Sequence, residues 1–559
     1  MKKNVNHWTI IMLLGVLLLS CNTQPPIQGA VVSARSEASN IGIEIMKKGG
    51  NAFDAAVATH MALAVCYPNA GNLGGGGFAV VRTASGTVST LDFREKAPMA
   101  AFRDMYLDEN QNVLSELSTL GGLAVGVPGS VAGLYALHQK GGKLSWAEVL
   151  KPAQKLAEKG FIVTLLQANG LAAKRDEIVS LNGNETLFAT PFKANDTLRN
   201  LALASLLKRI AQEGPSAFYS GTHALAMVNT INAQGGVFSL KDLETYAPVW
   251  RDPVVFRYKD LTVYSMGPPS SGGICLAQLM GMVEHFPIAT YGFLSEKALQ
   301  IMIEAERRSF ADRSLYLGDS DYVSVPTNQL IDSSYLKERM KSFSFEKATL
   351  SSQIAPGMVV AEESDETTHF SILDREGNAI ALTTTINGNY GSKLYVEDGG
   401  YFLNNEMDDF SSKPGVPNMF GLIGGSANAI ASGKRMLSAM TPTIVERNGQ
   451  LSMVVGTPGG STIITSVFQI LMNVYEFGLT LEEAVQAPRF HHQWLPDEVI
   501  LEPEQFPKNL IQNLVKKGYE IQEKKTRIIG RVDAIYRSPK GTISVAADPR
   551  GDDASAVVR

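Results

Sequence analysis

The chain has 559 residues, 45% hydrophobic and 19% charged, with a formal net charge of −5 and a pI near 6.0. Its 50 lysines and arginines are scattered, so no basic face is offered to nucleic acid, and a small molecule is the expected partner. Length alone suggests about four ordinary domains. No long Pro/Ser-rich linker, heptad or fixed-period repeat interrupts 29–559, however, so one large body is predicted.

Lys2-Lys3 form a basic start, and Trp8 to Leu19 is an apolar run too short to span a bilayer. Leu18-Leu19-Ser20-Cys21 resembles a bacterial lipobox. Residues 1–20 are therefore expected to be a lipoprotein-type signal, with Cys21 lipidated and Asn22 to Pro26 a polar tether; an ordinary secretory signal or an uncleaved anchor is the alternative. The expected location is the periplasm or cell envelope of a bacterium, with membrane contact only through the lipid. Cys66 and Cys275 sit among apolar neighbours and read as buried thiols.

A helix is predicted over 37–48 with Ser36 as N-cap, then a second over 52–66 capped by Asn51 and ended by Pro68. Gly71-Asn72-Leu73-Gly74-Gly75-Gly76-Gly77 has no following Gly-Lys-Ser/Thr, so it is no phosphate loop. A strand at 78–81 follows, and the glycines suit close backbone packing. The strand 88–93 delivers Arg94 in DFREKAP. Residues from about 146 to 353 read mostly as capped helices, for instance 146–158 after Ser145 and 240–246 after Ser239. Within them, Glu304-Ala305-Glu306-Arg307-Arg308 reads as a solvated helix face. The serines of Pro268-Pro269-Ser270-Ser271-Gly272-Gly273 lack a GxSxG elbow. The adjacent His491-His492 lack metal-ligand spacing, so no metal is expected.

Glu362 to Glu366 is acidic and predicted to be exposed. From Thr368 the residues alternate, with Phe370 and Ile372 on one face, as in a half-buried strand. A turn at 374–377 and a second strand at 378–385 complete a hairpin with Thr367 at its outer tip, where a solvated loop enters the sheet. Thr367 there either simply opens the strand or acts as a nucleophile. A threonine hydroxyl needs an adjacent base. Cleavage before Thr367 would supply one, an α-amine of pKa about 7.7 to 8.0. Glu406 and Asp409 lie in a turn rich in acids, and a carboxylate pair also suits an ammonium with three donors. Residues 413–430 form a long Gly/Pro-rich loop of the kind that serves as a lid. Gly459-Gly460 join a strand (451–456) to a helix beginning near Ser461. Such a turn either reverses the chain or aims backbone N–H groups at one spot, as an oxyanion hole does.

TTHFS at 367–371, NNEMDDFS at 404–411, PGVPN at 414–418, TPGGS at 457–461 and PRFHHQWLPDE at 488–498 together resemble the γ-glutamyltranspeptidases, which are N-terminal-nucleophile hydrolases. The likeness extends from about Gly29 to the C-terminus. It implies an α+β fold, a four-layer αββα sandwich. It also implies a precursor that cuts itself between Glu366 and Thr367 into a large chain, 21–366, and a small catalytic chain, 367–559. The implied reaction moves a γ-glutamyl group from glutathione or another γ-glutamyl amide to an amino acid, a peptide or water, with no cofactor. By the same resemblance Thr367 is the nucleophile and Thr385 orients its α-amine. Gly459 and Gly460 hold the oxyanion, and Arg94 and Ser438 bind the α-carboxylate. Asn387 contacts the substrate, and Glu406 and Asp409 bind the α-ammonium.

The chain departs from the family at two places. Ala439 stands where a second serine is usual, a missing hydrogen bond to a charged group worth about 1.5 to 3 kcal/mol. Phe420 stands on the lid where tyrosine is familiar. Ala439 keeps open a related amidase or cephalosporin-type acylase on the same fold. A binding lipoprotein that never matures is the non-enzymatic alternative.

Overall fold

The computed structural model describes residues 26–354, 367–523 and 528–559. The signal segment with Cys21, and the acidic stretch ending at Glu366, lie outside the described residues. The predicted hairpin is present as strands Thr368–Leu373 and Ala379–Thr385, paired antiparallel from Leu373 with Ala379 to Thr368 with Thr384. It occupies the middle of a seven-stranded sheet, between Gly29–Ser33 on one side and Gly76–Arg82 on the other. Beyond these lie Ala554–Val558 at one edge, and Val88–Asp92 and Val249–Arg251 at the other. Every strand pairing in it is antiparallel.

A second, six-stranded antiparallel sheet stacks on the first, in the order Ile543–Ala546, Asp533–Arg537, Gln450–Gly456, Thr443–Arg447, Leu261–Ser265 and Val254–Tyr258. Side-chain alternation assigns the layers. Val32, Val80, Leu373 and Ala381 of the first sheet meet Ile444, Val454 and Ile535 of the second. Phe370, Ile372, Ile380 and Leu382 face the other way, into a core with helices Ser36–Lys47 and Ala52–Cys66. Val445, Met453 and Val455 of the second sheet pack outward against helices Gly272–Glu284, Glu296–Tyr316 and Thr462–Tyr475. The result is helix, sheet, sheet, helix, the expected four-layer αββα sandwich.

Local sequence explains the joints. Asn51 accepts from the Phe53 and Asp54 amides while the Asp54 carboxylate accepts from Asn51 N, a capping box that starts the buried helix Ala52–Cys66. Ser145 caps Trp146–Lys159 in the same way. Gly75 and Gly77 lie against the Thr385 and Thr383 carbonyls, where a Cβ would come within 2.2 and 2.3 Å of oxygen. The glycine run thus lets the sheet close tightly beside the end of the hairpin. Cys66 and Cys275 are buried free thiols, as expected.

Four sequence-based expectations are corrected. The strand from Thr368 is buried on both faces, because it is central and covered by helices on one side and the second sheet on the other. Its polar side chains are paired: His369 bonds Thr383 Oγ at 2.9 Å and Ser371 Oγ at 3.1 Å, and Ser371 donates to the Asp533 carbonyl. Thr367 is only 4% exposed, not at a solvated tip. Residues 304–308 lie buried within Glu296–Tyr316, where Arg308 pairs with Glu304, Arg307 pairs with Asp497, and Glu306 accepts from the His492 amide. Ser36 opens its helix rather than capping it; Arg35 is the N-cap residue.

Burial lowers the imidazoles of His60, His369 and His492 to about 4, 3 and 4. These groups stay neutral in the fold and gain a proton near pH 6.5 when unfolded. Stability therefore falls as pH drops from about 6.5 toward 4, by up to about 1.4 kcal/mol per pH unit for each imidazole. His60 touches Phe93 and Phe370 edge-on and bonds only the Asn72 carbonyl. His60→Leu is expected to flatten the thermal-unfolding midpoint against pH across this window; an unchanged slope would contradict the assignment.

Candidate active site

The hairpin ends, two loops and the helix Glu296–Tyr316 converge on one cavity. It is lined by Arg94, Arg313, Thr367, Thr385, Asn387, Glu406, Asp409, Phe420, Ser438, Ala439 and Gly460, with apolar walls from Leu437, Met440 and Ile463. Eight of the nine described residues singled out for catalysis or substrate binding are therefore brought together, and Gly459 is joined directly to Gly460. The strand pairing explains the first group: Thr368 faces Thr384, so Thr367 and Thr385 emerge at the same end of the hairpin. The Thr385 hydroxyl accepts from the Asn387 amide at 2.7 Å, fixing a turn in which Asn387 takes φ +68°. Asn387 then donates through its side chain to the Asn405 carbonyl.

Glu406 and Asp409 sit on the single turn Glu406–Asp409, which the Asn404 side chain anchors by accepting from the Glu406 amide. Arg94 is 1% exposed and donates to Glu406 Oε1 at 2.6 Å, to Asp409 Oδ2, and to Glu95 at 3.4 Å. Three carboxylates thus share one guanidinium. Glu95 Oε1 and Glu406 Oε2 are buried with no hydrogen-bond partner. Burial pushes Glu406 well above the ordinary carboxylate range and Glu95 up to about 7, with the neighbouring carboxylates adding to both shifts. The corner has an excess of acceptors and is chemically suited to an ammonium group.

Gly459 and Gly460 lie between strand Gln450–Gly456 and helix Thr462–Tyr475, at φ +132° and +52°. Among the described residues neither glycine amide has a protein acceptor, while their carbonyls accept from Thr462 and Ile463. Unspent N–H groups at a strand-to-helix turn beside a hydroxyl are what stabilising an oxyanion requires. Phe420 of the predicted lid loop packs over this turn: a Cβ on Gly460 would lie 2.7 Å from its ring. Gln493 holds the lid there, donating to the Phe420 carbonyl at 3.3 Å and accepting from Ser461 Oγ at 2.7 Å. Gly460→Ala is expected to lower kcat by roughly 10²-fold or more, with a smaller effect on KM. Turnover at the parent rate would contradict the role of this turn.

Ser438 accepts from the Met440 amide at 3.1 Å, leaving its own proton to give, and Ala439 lines the cavity beside it. Two charged groups were not foreseen, Glu95 behind Arg94 and Arg313 on the cavity wall. Glu95 follows Arg94 in the chain, and Arg313 comes from the helix Glu296–Tyr316, whose charges on every side hid its burial from a periodicity reading. Among the described residues, no group of three or more His, Cys, Asp or Glu side chains is placed to hold a metal ion.

The γ-glutamyltranspeptidase family model matches residues 38–558. The glutathione hydrolase proenzyme of Escherichia coli (strain K12) is 45% identical over 530 residues, covering 94% of this chain and 91% of its own. The chain belongs to the γ-glutamyltranspeptidase family. Solved structures agree. Cephalosporin acylase from Bacillus halodurans superposes with a TM-score of 0.85 at 27% identity, covering 96% of both chains. The γ-glutamyltranspeptidase of Helicobacter pylori gives 0.58 at 40% identity, covering 60% of this chain and 97% of its own. As a γ-glutamyltranspeptidase, the chain is an N-terminal-nucleophile enzyme of γ-glutamyl transfer and hydrolysis, made as a self-processing precursor.

Proposed function

We propose that cleavage between Glu366 and Thr367 divides the chain into a large subunit, 21–366, and a small subunit, 367–559, and frees the Thr367 amine as the catalytic base. The Thr367 hydroxyl then attacks the γ-amide carbonyl of glutathione or another γ-glutamyl compound. Its proton passes to the α-amine and on to the departing amine as the C–N bond breaks. The Gly459 and Gly460 amides hold the oxyanion, and Thr385 orients the new N-terminus. A γ-glutamyl ester on Thr367 remains, and water or the amine of an amino acid or peptide resolves it.

Glu406 and Asp409 receive the substrate's α-ammonium, while Arg94 holds them in place and, with Ser438, faces the α-carboxylate; Asn387 lies against the γ-glutamyl chain. The observation that carries this reading is the cavity itself, in which a buried threonine, the unspent amide of Gly460 and a surplus of carboxylates share one small space, with Gly459 next in the chain. The enzyme is further proposed to be exported and anchored by lipid on Cys21.

Ala439 and the likeness to a cephalosporin acylase favour one second reading, a deacylase for amides without the α-amino group. Paired rates on γ-glutamyl-anilide and glutaryl-anilide test the choice. The γ-glutamyl reading predicts a kcat/KM preference of at least about tenfold for the substrate carrying the ammonium. Equal rates, or a preference for glutaryl-anilide, would contradict it.

A further inference from the structure

Arg94, the arginine that the resemblance offers to a substrate carboxylate, is already engaged by three protein carboxylates. Arg313 differs. It is 4% exposed, lines the same cavity, and has no carboxylate within ion-pair distance among the described residues. Its Nε donates to Ser271 Oγ at 2.9 Å. Ser271 in turn donates to the Ser438 carbonyl through both its hydroxyl, at 2.7 Å, and its amide, at 2.8 Å. The guanidinium is thereby tied to the Ser438-Ala439 segment, where one hydroxyl of the usual pair is missing. Its two Nη groups have no protein acceptor among the described residues.

Asp409 across the cavity is the anion that Arg313 feels, but it lies beyond ion-pair distance and is paired with Arg94. The buried guanidinium therefore keeps a desolvation cost that a bound carboxylate would offset, and its planar donor fork matches that group bidentately. Building on the γ-glutamyl reading, we propose that Arg313 is a specificity-determining residue that binds the α-carboxylate of the γ-glutamyl group and replaces the hydrogen bond lost at Ala439. The cavity is then divided by charge. Glu406 and Asp409, backed by Glu95, take the ammonium, and Arg313 joins Arg94 and Ser438 at the carboxylate.

The test compares γ-glutamyl-anilide with 4-aminobutanoyl-anilide, which keeps the ammonium and lacks only the α-carboxylate. In Arg313→Gln the ratio of kcat/KM between the two substrates is expected to fall at least about tenfold, chiefly through KM for the γ-glutamyl compound. If Arg313→Gln does not yield folded enzyme, Arg313→Lys serves, since a point charge cannot reproduce the fork; a fall of about threefold or more is expected. Adding Ala439→Ser to Arg313→Lys should raise the ratio again. An unchanged ratio in a folded variant, even with both rates reduced, would overturn the proposal by giving Arg313 a purely structural role. A parent enzyme that does not prefer γ-glutamyl-anilide over both glutaryl- and 4-aminobutanoyl-anilide would overturn the underlying γ-glutamyl reading, and this proposal with it.

Discussion

Thr367→Ala is expected to purify as a single uncut chain with γ-glutamyl turnover lowered by at least about 10⁴-fold. The expectation is large because one hydroxyl is assigned two tasks. In the precursor it attacks the peptide bond that precedes it; in the mature enzyme it attacks the substrate amide. The hydroxyls nearest it in the hairpin differ in setting: that of Thr385 accepts from the Asn387 amide, and Thr368 is fully buried and faces Thr384. Thr367→Ser keeps an oxygen nucleophile and should both mature and turn over, at reduced rates. Mass analysis of the two variants after incubation, followed by anilide assays, separates the outcomes. A Thr367→Ala protein that still divides at this point would exclude Thr367 as the self-cleaving group.

Arg94→Gln carries the second-largest expected effect, and it acts on stability as well as activity. The substitution leaves Glu95, Glu406 and Asp409 buried without their shared cation. Removing one partner from a buried ionic cluster costs about 3 to 5 kcal/mol. All three carboxyls already titrate above their ordinary values because of burial, and Arg94 is the main group opposing that shift. In the variant they should bind protons more tightly still in the folded state than in the unfolded chain. The stability gap to the parent therefore widens as pH rises through the parent's own raised values, about 7 for Glu95, and should be larger at pH 8 than at pH 5. Thermal unfolding of both proteins at the two pH values measures it. A gap that is absent, or equal at both, would contradict the account of the cluster. Turnover of γ-glutamyl-anilide should fall with it, since Glu406 and Asp409 lose the group that orients them.

The candidate site was legible through the resemblance, and strand ends marked part of it without deciding between a structural and a chemical role. Thr367 and Thr385 close the hairpin, and Gly459-Gly460 separate an apolar strand from an apolar helix. Punctuation of that kind survives in a linear chain. The glycine run at 71–77 was legible for the same reason, since it precedes a strand and lies against the backbone of the hairpin. Burial of polar groups was not. His369 and Ser371 alternate with Phe370 and Ile372 as they would in a strand facing water. Only the second sheet, which supplies the Asp533 carbonyl, reveals a dry and fully bonded face. Arg313 was hidden more completely. The helix Glu296–Tyr316 carries acids and bases around its whole circumference, and residues 298–314 are nevertheless buried. Spacing cannot distinguish charges that meet water from charges that meet one another, because the partners Asp497, Tyr519 and His492 lie about two hundred positions away.

The central claim, that this chain becomes active by exposing Thr367 as an N-terminus, is tested most directly by intact mass and N-terminal sequencing of the purified protein after incubation at neutral pH. The account predicts two chains that remain together, the smaller one beginning Thr-Thr-His-Phe-Ser. A single uncut chain that turns over γ-glutamyl-anilide would contradict it, because the hydroxyl would then be acting without the amine assigned as its base.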